Sequence, residues 1–163
     1  MNEIISNNLF EFWSTIGLEN GIYTESTHYK VVKAMGSDWP RKIYAIDEKL
    51  ENFDEIIRLI KKGILPNVLT CHNHSDIPKN NQLKLSFTQM NMALDLKNYT
   101  LDSTKNENVF QVESESDAFE FAKIATESFG YKVGSAIVYS LCQKNSQAKL
   151  FIYKENNIGY GCG

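Results

Sequence analysis

Cysteine is scarce in this chain of 163 residues, with Cys71, Cys142 and Cys162 the three present. Their odd number, wide spacing and lack of any Cys-x-x-Cys pair exclude a disulfide framework or a zinc ribbon and fit a reducing compartment. Proline is also scarce, at three residues, which excludes extended proline-rich architectures. No apolar run approaches the roughly 18 residues needed to span a bilayer. The start, Met1-Asn2-Glu3-Ile4-Ile5, lacks the basic region and apolar core of a signal peptide. The expectation is a cytoplasmic protein without membrane contact. Positive charge is not in excess either: 17 Lys and Arg stand against 20 Asp and Glu, a net charge of -3. Nothing in that balance recruits phosphates, so nucleic acid is excluded as an expected partner.

What is present suits a folded domain. The chain is 42% hydrophobic and 23% charged, near the globular average, and its length fits one ordinary domain or two small lobes. Leu9, Phe12, Trp13 and Ile16 follow helical spacing after Ser6 or Asn7 and before Gly17, predicting a first helix with an apolar stripe. Tyr29 to Met35 and Ile43 to Ile46 read as strands, separated by the turn-rich segment Gly36-Ser37-Asp38-Trp39-Pro40-Arg41. Phe53, Ile56, Ile57 and Ile60 mark a second helix, with Asn52 and Glu55 as its cap pair and Gly63 then Pro66 as its stop. Val68 to Cys71 reads as a short strand, His72 to Gln82 as a loop, and Met90, Met92, Leu94 and Leu96 as the apolar face of another strand. The polar run from Asn98 to Asn108 is the candidate linker between an amino-terminal lobe, 1–97, and a second lobe, 109–163.

In the second lobe Val109 to Val112 predicts a strand. Ala118, Phe121, Ala122, Ala125 and Phe129 then stripe a helix that Ser114 or Ser116 caps and Gly130 ends. Ile137, Val138, Leu141 and Cys142 mark a further helix. Leu150 to Tyr153, a turn at Glu155-Asn156-Asn157 and a strand beginning at Ile158 make a hairpin.

The segments Val109-Phe110-Gln111-Val112, Ser114 to Ala122, Ala125 through Phe129-Gly130-Tyr131, and Lys149-Leu150-Phe151-Ile152-Tyr153-Lys154-Glu155-Asn156-Asn157-Ile158-Gly159-Tyr160-Gly161 carry a resemblance. Together they are similar to the opening of the GNAT superfamily of acyl-CoA-dependent N-acetyltransferases. Trp13, Trp39-Pro40-Arg41 and Gly63-Ile64-Leu65-Pro66 resemble the degenerate amino-terminal repeat of two-repeat members. The resemblance implies an α+β fold with a mixed, mostly antiparallel sheet and flanking helices. It implies that the sheet is incomplete at the C-terminal end, the chain stopping before the cofactor loop.

That loop in the family is an Arg/Gln-x-x-Gly-x-Gly/Ala turn whose backbone amides hold the pyrophosphate. Here the two arginines continue as Arg41-Lys42-Ile43-Tyr44 and Arg58-Leu59-Ile60-Lys61, so no such turn is present. The function implied is part of an N-acetyltransferase moving an acyl group from acetyl-CoA to a small-molecule or peptide amine. The chain by itself is expected to be inactive and to hold no acetyl-CoA. The resemblance places Phe129 and Tyr131, on either side of Gly130, beside the acyl acceptor, although by periodicity alone Phe129 completes a helix stripe. The sequence names no general base. A second reading fits equally: a non-catalytic module that binds a ligand or partner. An Arg/Gln-x-x-Gly-x-Gly/Ala turn in the continuing reading frame separates the two.

Other clusters read more plainly as structure. Cys71, His72, His74 and Asp76 crowd together, but Cys71 and His72 would face opposite sides of a strand and His28 is the only other histidine, so a surface loop is preferred to a metal site. Cys142 reads as core, Trp39 as a pin for its turn, and Gly159, Gly161 and Gly163 as close sheet packing rather than a phosphate loop. The strand beginning at Ile158 should offer an open edge to a homodimer partner. Light scattering is therefore expected to show dimers, and a strict monomer at high concentration overturns that assembly.

Overall fold

The computed structural model describes residues 2–71, 82–86, 88, 107–143, 146 and 148–163, with side chains from residue 6 onward. The expected His72-to-Gln82 loop, the Met90 to Leu96 strand and the linker fall largely or wholly outside the described residues. So do His72, His74 and Asp76. Within them the fold is mixed α+β: four helices and two antiparallel three-stranded sheets.

The first sheet is a meander of β1 (Tyr23–Glu25), β2 (Lys30–Lys33) and β3 (Arg41–Tyr44) between helices α1 (Asn2–Glu19) and α2 (Leu50–Lys61). Register places Tyr23 and Lys42 opposite Val32, and Ile43 opposite Val31. Because alternate side chains point to opposite faces, Tyr23, Val32, Lys42 and Tyr44 share one face and Val31 and Ile43 the other. The first face meets α1, where the Phe10, Trp13 and Tyr44 rings lie 5.3 to 5.7 Å apart. The second meets α2, whose Phe53 and Ile56 join Tyr29, Val31, Ile43 and Ile46 in a core. Burying each such side chain contributes about 1.5–3 kcal/mol.

Local signals deviate here in instructive ways. Gly17 does not end α1, which runs on to Glu19. A Cβ at Gly17 would lie 3.0 Å from Tyr23 Cβ and 3.3 Å from Val32 Cγ2, so the glycine lets the helix approach the sheet. Asn52 does not cap α2 either. The capping position is Lys49, and Asn52 is buried one turn in, its amide donating to the Asp47 carbonyl at 2.8 Å. The strand expected at Val68 to Cys71 contracts to one parallel bridge, in which Ile43 N–H donates to Val68 O and Thr70 N–H to Ile43 O, both at 2.8 Å.

The second sheet, β4 (Val109–Gln111), β5 (Phe151–Glu155) and β6 (Ile158–Cys162), is antiparallel in that order, with α3 (Glu115–Phe129) and α4 (Ser135–Leu141) inserted between β4 and β5. Ser114 begins α3 with a capping box: its hydroxyl accepts from Asp117 N–H while the Asp117 carboxylate accepts from Ser114 N–H. The Ser114 hydroxyl also donates to Asp117 Oδ2 at 2.6 Å, and that bond, with the Glu113 and Ser114 N–H groups and the nearby Lys154 ammonium, holds the Asp117 carboxyl below the usual carboxylate range. The β5–β6 turn places Asn156 and Asn157 at φ 50° and 64°, the left-handed pair that matches strand twist in a two-residue hairpin.

A bulge at Tyr153/Lys154 then aligns Gly159 with Lys154, under α3. A Cβ at Gly159 would lie 2.5 Å from Ile124 Cδ1 and 2.8 Å from Glu120 Oε1. That Glu120 carboxylate receives Lys154 Nζ at 2.6 Å. Gly159→Ala is expected to cost about 1–3 kcal/mol through overpacking. Gly161→Ala, whose Cβ would meet Tyr153 Cβ at an ordinary 3.9 Å, should change stability by less than about 0.5 kcal/mol. Equal urea midpoints for the two variants would overturn this account of the bulge.

Candidate functional site

Gly130 ends α3 in the left-handed conformation, φ 72°, its N–H donating to Thr126 O at 3.0 Å. This conformation suits glycine. The reversal brings Phe129 and Tyr131, the two residues singled out as acceptor-side candidates, onto each other. Their rings are nearly parallel, 9° apart, with centroids at 5.5 Å. Both face outward, Phe129 at 62% and Tyr131 at 40% exposure. Phe129 therefore does not complete the buried stripe of α3. That stripe consists of Ala118, Phe121, Ala122, Ile124 and Ala125, with Ile124 packing toward Gly159.

The loop that follows is fastened to the first lobe. Asp38 N–H donates to Lys132 O at 2.7 Å, and Lys132 N–H returns to Asp38 Oδ2 at 3.1 Å. Trp39 and Val133 form a parallel bridge. The buried Ser37 hydroxyl is the centre: it accepts from Gly134 N–H at 2.9 Å and Trp39 N–H at 3.3 Å and donates to Trp39 O. Val133 N–H donates to Thr126 Oγ1 at 2.9 Å. Four backbone amides of residues 130 to 134 thus have fixed acceptors, so the Phe129–Tyr131 stack sits on a held loop. Trp39 rests its ring 6.3 Å from that of Phe12 in α1, consistent with its role as a pin. The Trp39–Pro40 peptide is cis.

Chemically, the stack offers two flat apolar faces and one phenol. Burial pushes the Tyr131 hydroxyl upward, away from the range of a general base at neutral pH. The thiols are equally unsuited to nucleophilic work. Burial pushes Cys71 up to about 12 and also raises Cys142 and Cys162, while the Cys142 thiol donates to Val138 O at 3.1 Å. The described residues contain no group of three or more His, Cys, Asp or Glu placed to hold a metal. His28 Nδ1 faces Asp47 Oδ2 at 3.6 Å, and that carboxylate also meets Lys49 Nζ at 2.9 Å.

Several positions that could suggest a phosphate cradle are otherwise engaged. The Gly134 N–H at the start of α4 is taken by Ser37, the start of α3 carries the Asp117 carboxylate, and Gly159 and Gly161 lie within β6. A surface hollow lined by Asp54, Ile57, Arg58, Lys61, Lys62 and Gln82 follows α2, in the other lobe from the stack. No described helix is long and apolar enough to cross a membrane.

Ser37 was legible only as a turn residue. Its partner Gly134 lies 97 positions away, and neither residue type marks the pairing. Ser37→Ala leaves the Gly134 and Trp39 amides without their acceptor, which should cost about 1–3 kcal/mol. It should also speed hydrogen exchange at Gly134. An unchanged denaturation midpoint would remove the hydroxyl from its central place. No model of a known protein family, no curated protein and no solved structure matches the chain.

Proposed function

We propose that the chain supplies the amine-acceptor side of an N-acyltransferase of the GNAT kind, with Phe129 and Tyr131 receiving the amine. The observation that carries this reading is the second lobe: two helices inserted between the first and second strands of an antiparallel three-stranded sheet, the order that the sequence resemblance implies. The stacked pair lies at the junction between those helices, raised on a loop held by hydrogen bonds.

The chemistry of the pair suits an ammonium group. Aromatic faces attract cations through the ring quadrupole, by roughly 0.5–2 kcal/mol depending on desolvation, and the exposed Tyr131 adds a hydroxyl acceptor. Acyl transfer further requires that the amine lose a proton and that a thioester oxyanion be stabilised. Beside the stack, burial raises the Tyr131 hydroxyl and Ser37 occupies the Gly134 N–H, so deprotonation and acyl-donor binding fall to groups other than these. The stacked pair serves equally a second reading, a non-catalytic module that binds an amine or a partner without any acyl donor.

Ligand-detected nuclear magnetic resonance with a panel of primary amines, including polyamines, aromatic amines and lysine-containing peptides, tests the acceptor assignment. Binding is expected, and Phe129→Ala or Tyr131→Ala should weaken it by about three- to thirtyfold, the loss of one ring contact. Amines that bind equally to wild type and both variants would sink the assignment. Acetyl transfer to a bound amine, assayed after supplying the continuing reading frame, separates the enzyme from the module.

A further inference from the structure

The last turn of α2 gathers charge of one sign. Arg58, Lys61 and Lys62 are spaced by three and four residues, so they share one face of the helix. Basic residues at such an end ordinarily answer the helix dipole and its orphan carbonyls. In α2 other groups meet those carbonyls. Lys62 N–H donates to Arg58 O, Gly63 N–H to Ile60 O and Ile64 N–H to Leu59 O. Just past the helix, Lys33 Nζ arrives from β2 and donates to the Gly63 and Ile64 carbonyls at 3.4 and 3.2 Å. These carbonyls are thus satisfied without the side chains of Arg58 and Lys62.

Those two side chains are also unpaired with any carboxylate among the described residues. Asp54 stands four residues before Arg58, the spacing at which a helix pairs opposite charges, yet no ion pair joins them. Lys61 differs, because Gln82 Oε1 accepts from its ammonium and so ties it in place. The three cations border an opening, not a flat surface. With Asp54, Ile57 and Gln82 they line a hollow of about 340 Å³. Ile57, only 7% exposed, supplies an apolar wall, and the exposed Arg58 and Lys62 stand at the solvent side. The described lining is positive on a chain whose net charge is -3, and a concave surface of one sign concentrates counter-ions.

We propose that this hollow is a binding site for a small organic phosphate. The Arg58 guanidinium presents a planar fork that matches two phosphate oxygens, and the Lys62 ammonium adds a point charge one turn along the helix. Lys61, tied by Gln82, supplies a third positive charge. A phosphate monoester carries about 1.5 to 2 negative charges near neutral pH, which balances three cations set against the Asp54 carboxylate. A simple carboxylate fits the same fork with only one charge. The carbon skeleton of the ester rests against Ile57. The site lies wholly in the first lobe, so the inference is independent of the amine-acceptor reading of Phe129 and Tyr131.

The test is titration of the whole chain with ethyl phosphate, and in separate arms with inorganic phosphate and acetate, at one ionic strength, read by nuclear magnetic resonance. Saturable shifts are expected at the Arg58 Nε–H and the Gln82 side-chain amide. Ethyl phosphate should bind most tightly, through Ile57, and acetate least. Arg58→Gln should weaken ethyl phosphate about five- to tenfold, the loss of a charge-assisted pair at an exposed position. Asp54→Asn should act the other way and tighten it about two- to fivefold, because it removes the negative charge of the lining. Both side chains are exposed, so the fold should persist in either variant. Equal affinity of wild type and Arg58→Gln overturns the proposal, and so does weaker binding by Asp54→Asn. Acetate that shifts the same groups as far as ethyl phosphate would mark general ionic screening and overturn it too. Inorganic phosphate binding as tightly as its ester would give the hollow to the free ion and remove the organic ligand.

Discussion

A buried hydroxyl lies at the centre of the polar contacts between the two halves of this molecule. Ser37 is buried in a turn of the first lobe, and it holds Gly134 at the beginning of α4 while also closing its own turn through Trp39. A buried amide without a partner costs more than the net worth of a typical hydrogen bond, so these contacts stand or fall as a set. Around them Asp38 exchanges hydrogen bonds with Lys132, and Trp39 bridges to Val133. The position of the Phe129–Tyr131 stack follows from that fastening. Helix α1 reinforces it from beneath: Phe10 and Trp13 belong to the core of the first sheet, while Ile16 is buried with Val112, Phe121 and Val138 of the second lobe.

Periodicity and capping chemistry were legible where the causes are local. Ser114 and Gly130 bound α3 as their residue types suggest, because a hydroxyl beside orphan amides and a residue free of Cβ in the left-handed region act within one helical turn. The Asn156-Asn157 turn was legible for the same reason. Signals failed where a distant surface imposed its own terms. Gly17 looks like a helix stop until Tyr23 and Val32 crowd it, and Asn52 looks like a cap until Asp47 recruits it one turn too late. Strand β1 went unread because Tyr23-Thr24-Glu25 is too short to show alternation.

The candidate site divides along the same line. Phe129 and Tyr131 could be picked out beside a helix-ending glycine, but their mutual stacking depends on a backbone angle that no pattern of residue types spells out. Lys42 and Lys154 make the contrast sharper still. Each is a strand lysine between one charged residue and one apolar or aromatic one, Arg41 and Ile43 for Lys42 and Glu155 and Tyr153 for Lys154, and neither setting names the partner. Lys154 lies beneath α3 beside Glu120, whereas Lys42 lies beneath α1 beside Trp13. What separates a paired ammonium from a solitary one is the identity of the helix that crosses above it.

The hairpin of β5 and β6 closes across two residues, while β4 pairs with β5 only after α3 and α4 have intervened. Closure entropy rises with the length of chain to be looped, and hairpins form within microseconds. The β5–β6 ribbon is thus favoured as the first ordered piece of the second lobe. It then offers β4 a ready template, so the strand earliest in sequence is the one that docks late. The bulge sets Gly159 under α3, so the surface on which that helix rests belongs to the ribbon and is complete once the hairpin is in register.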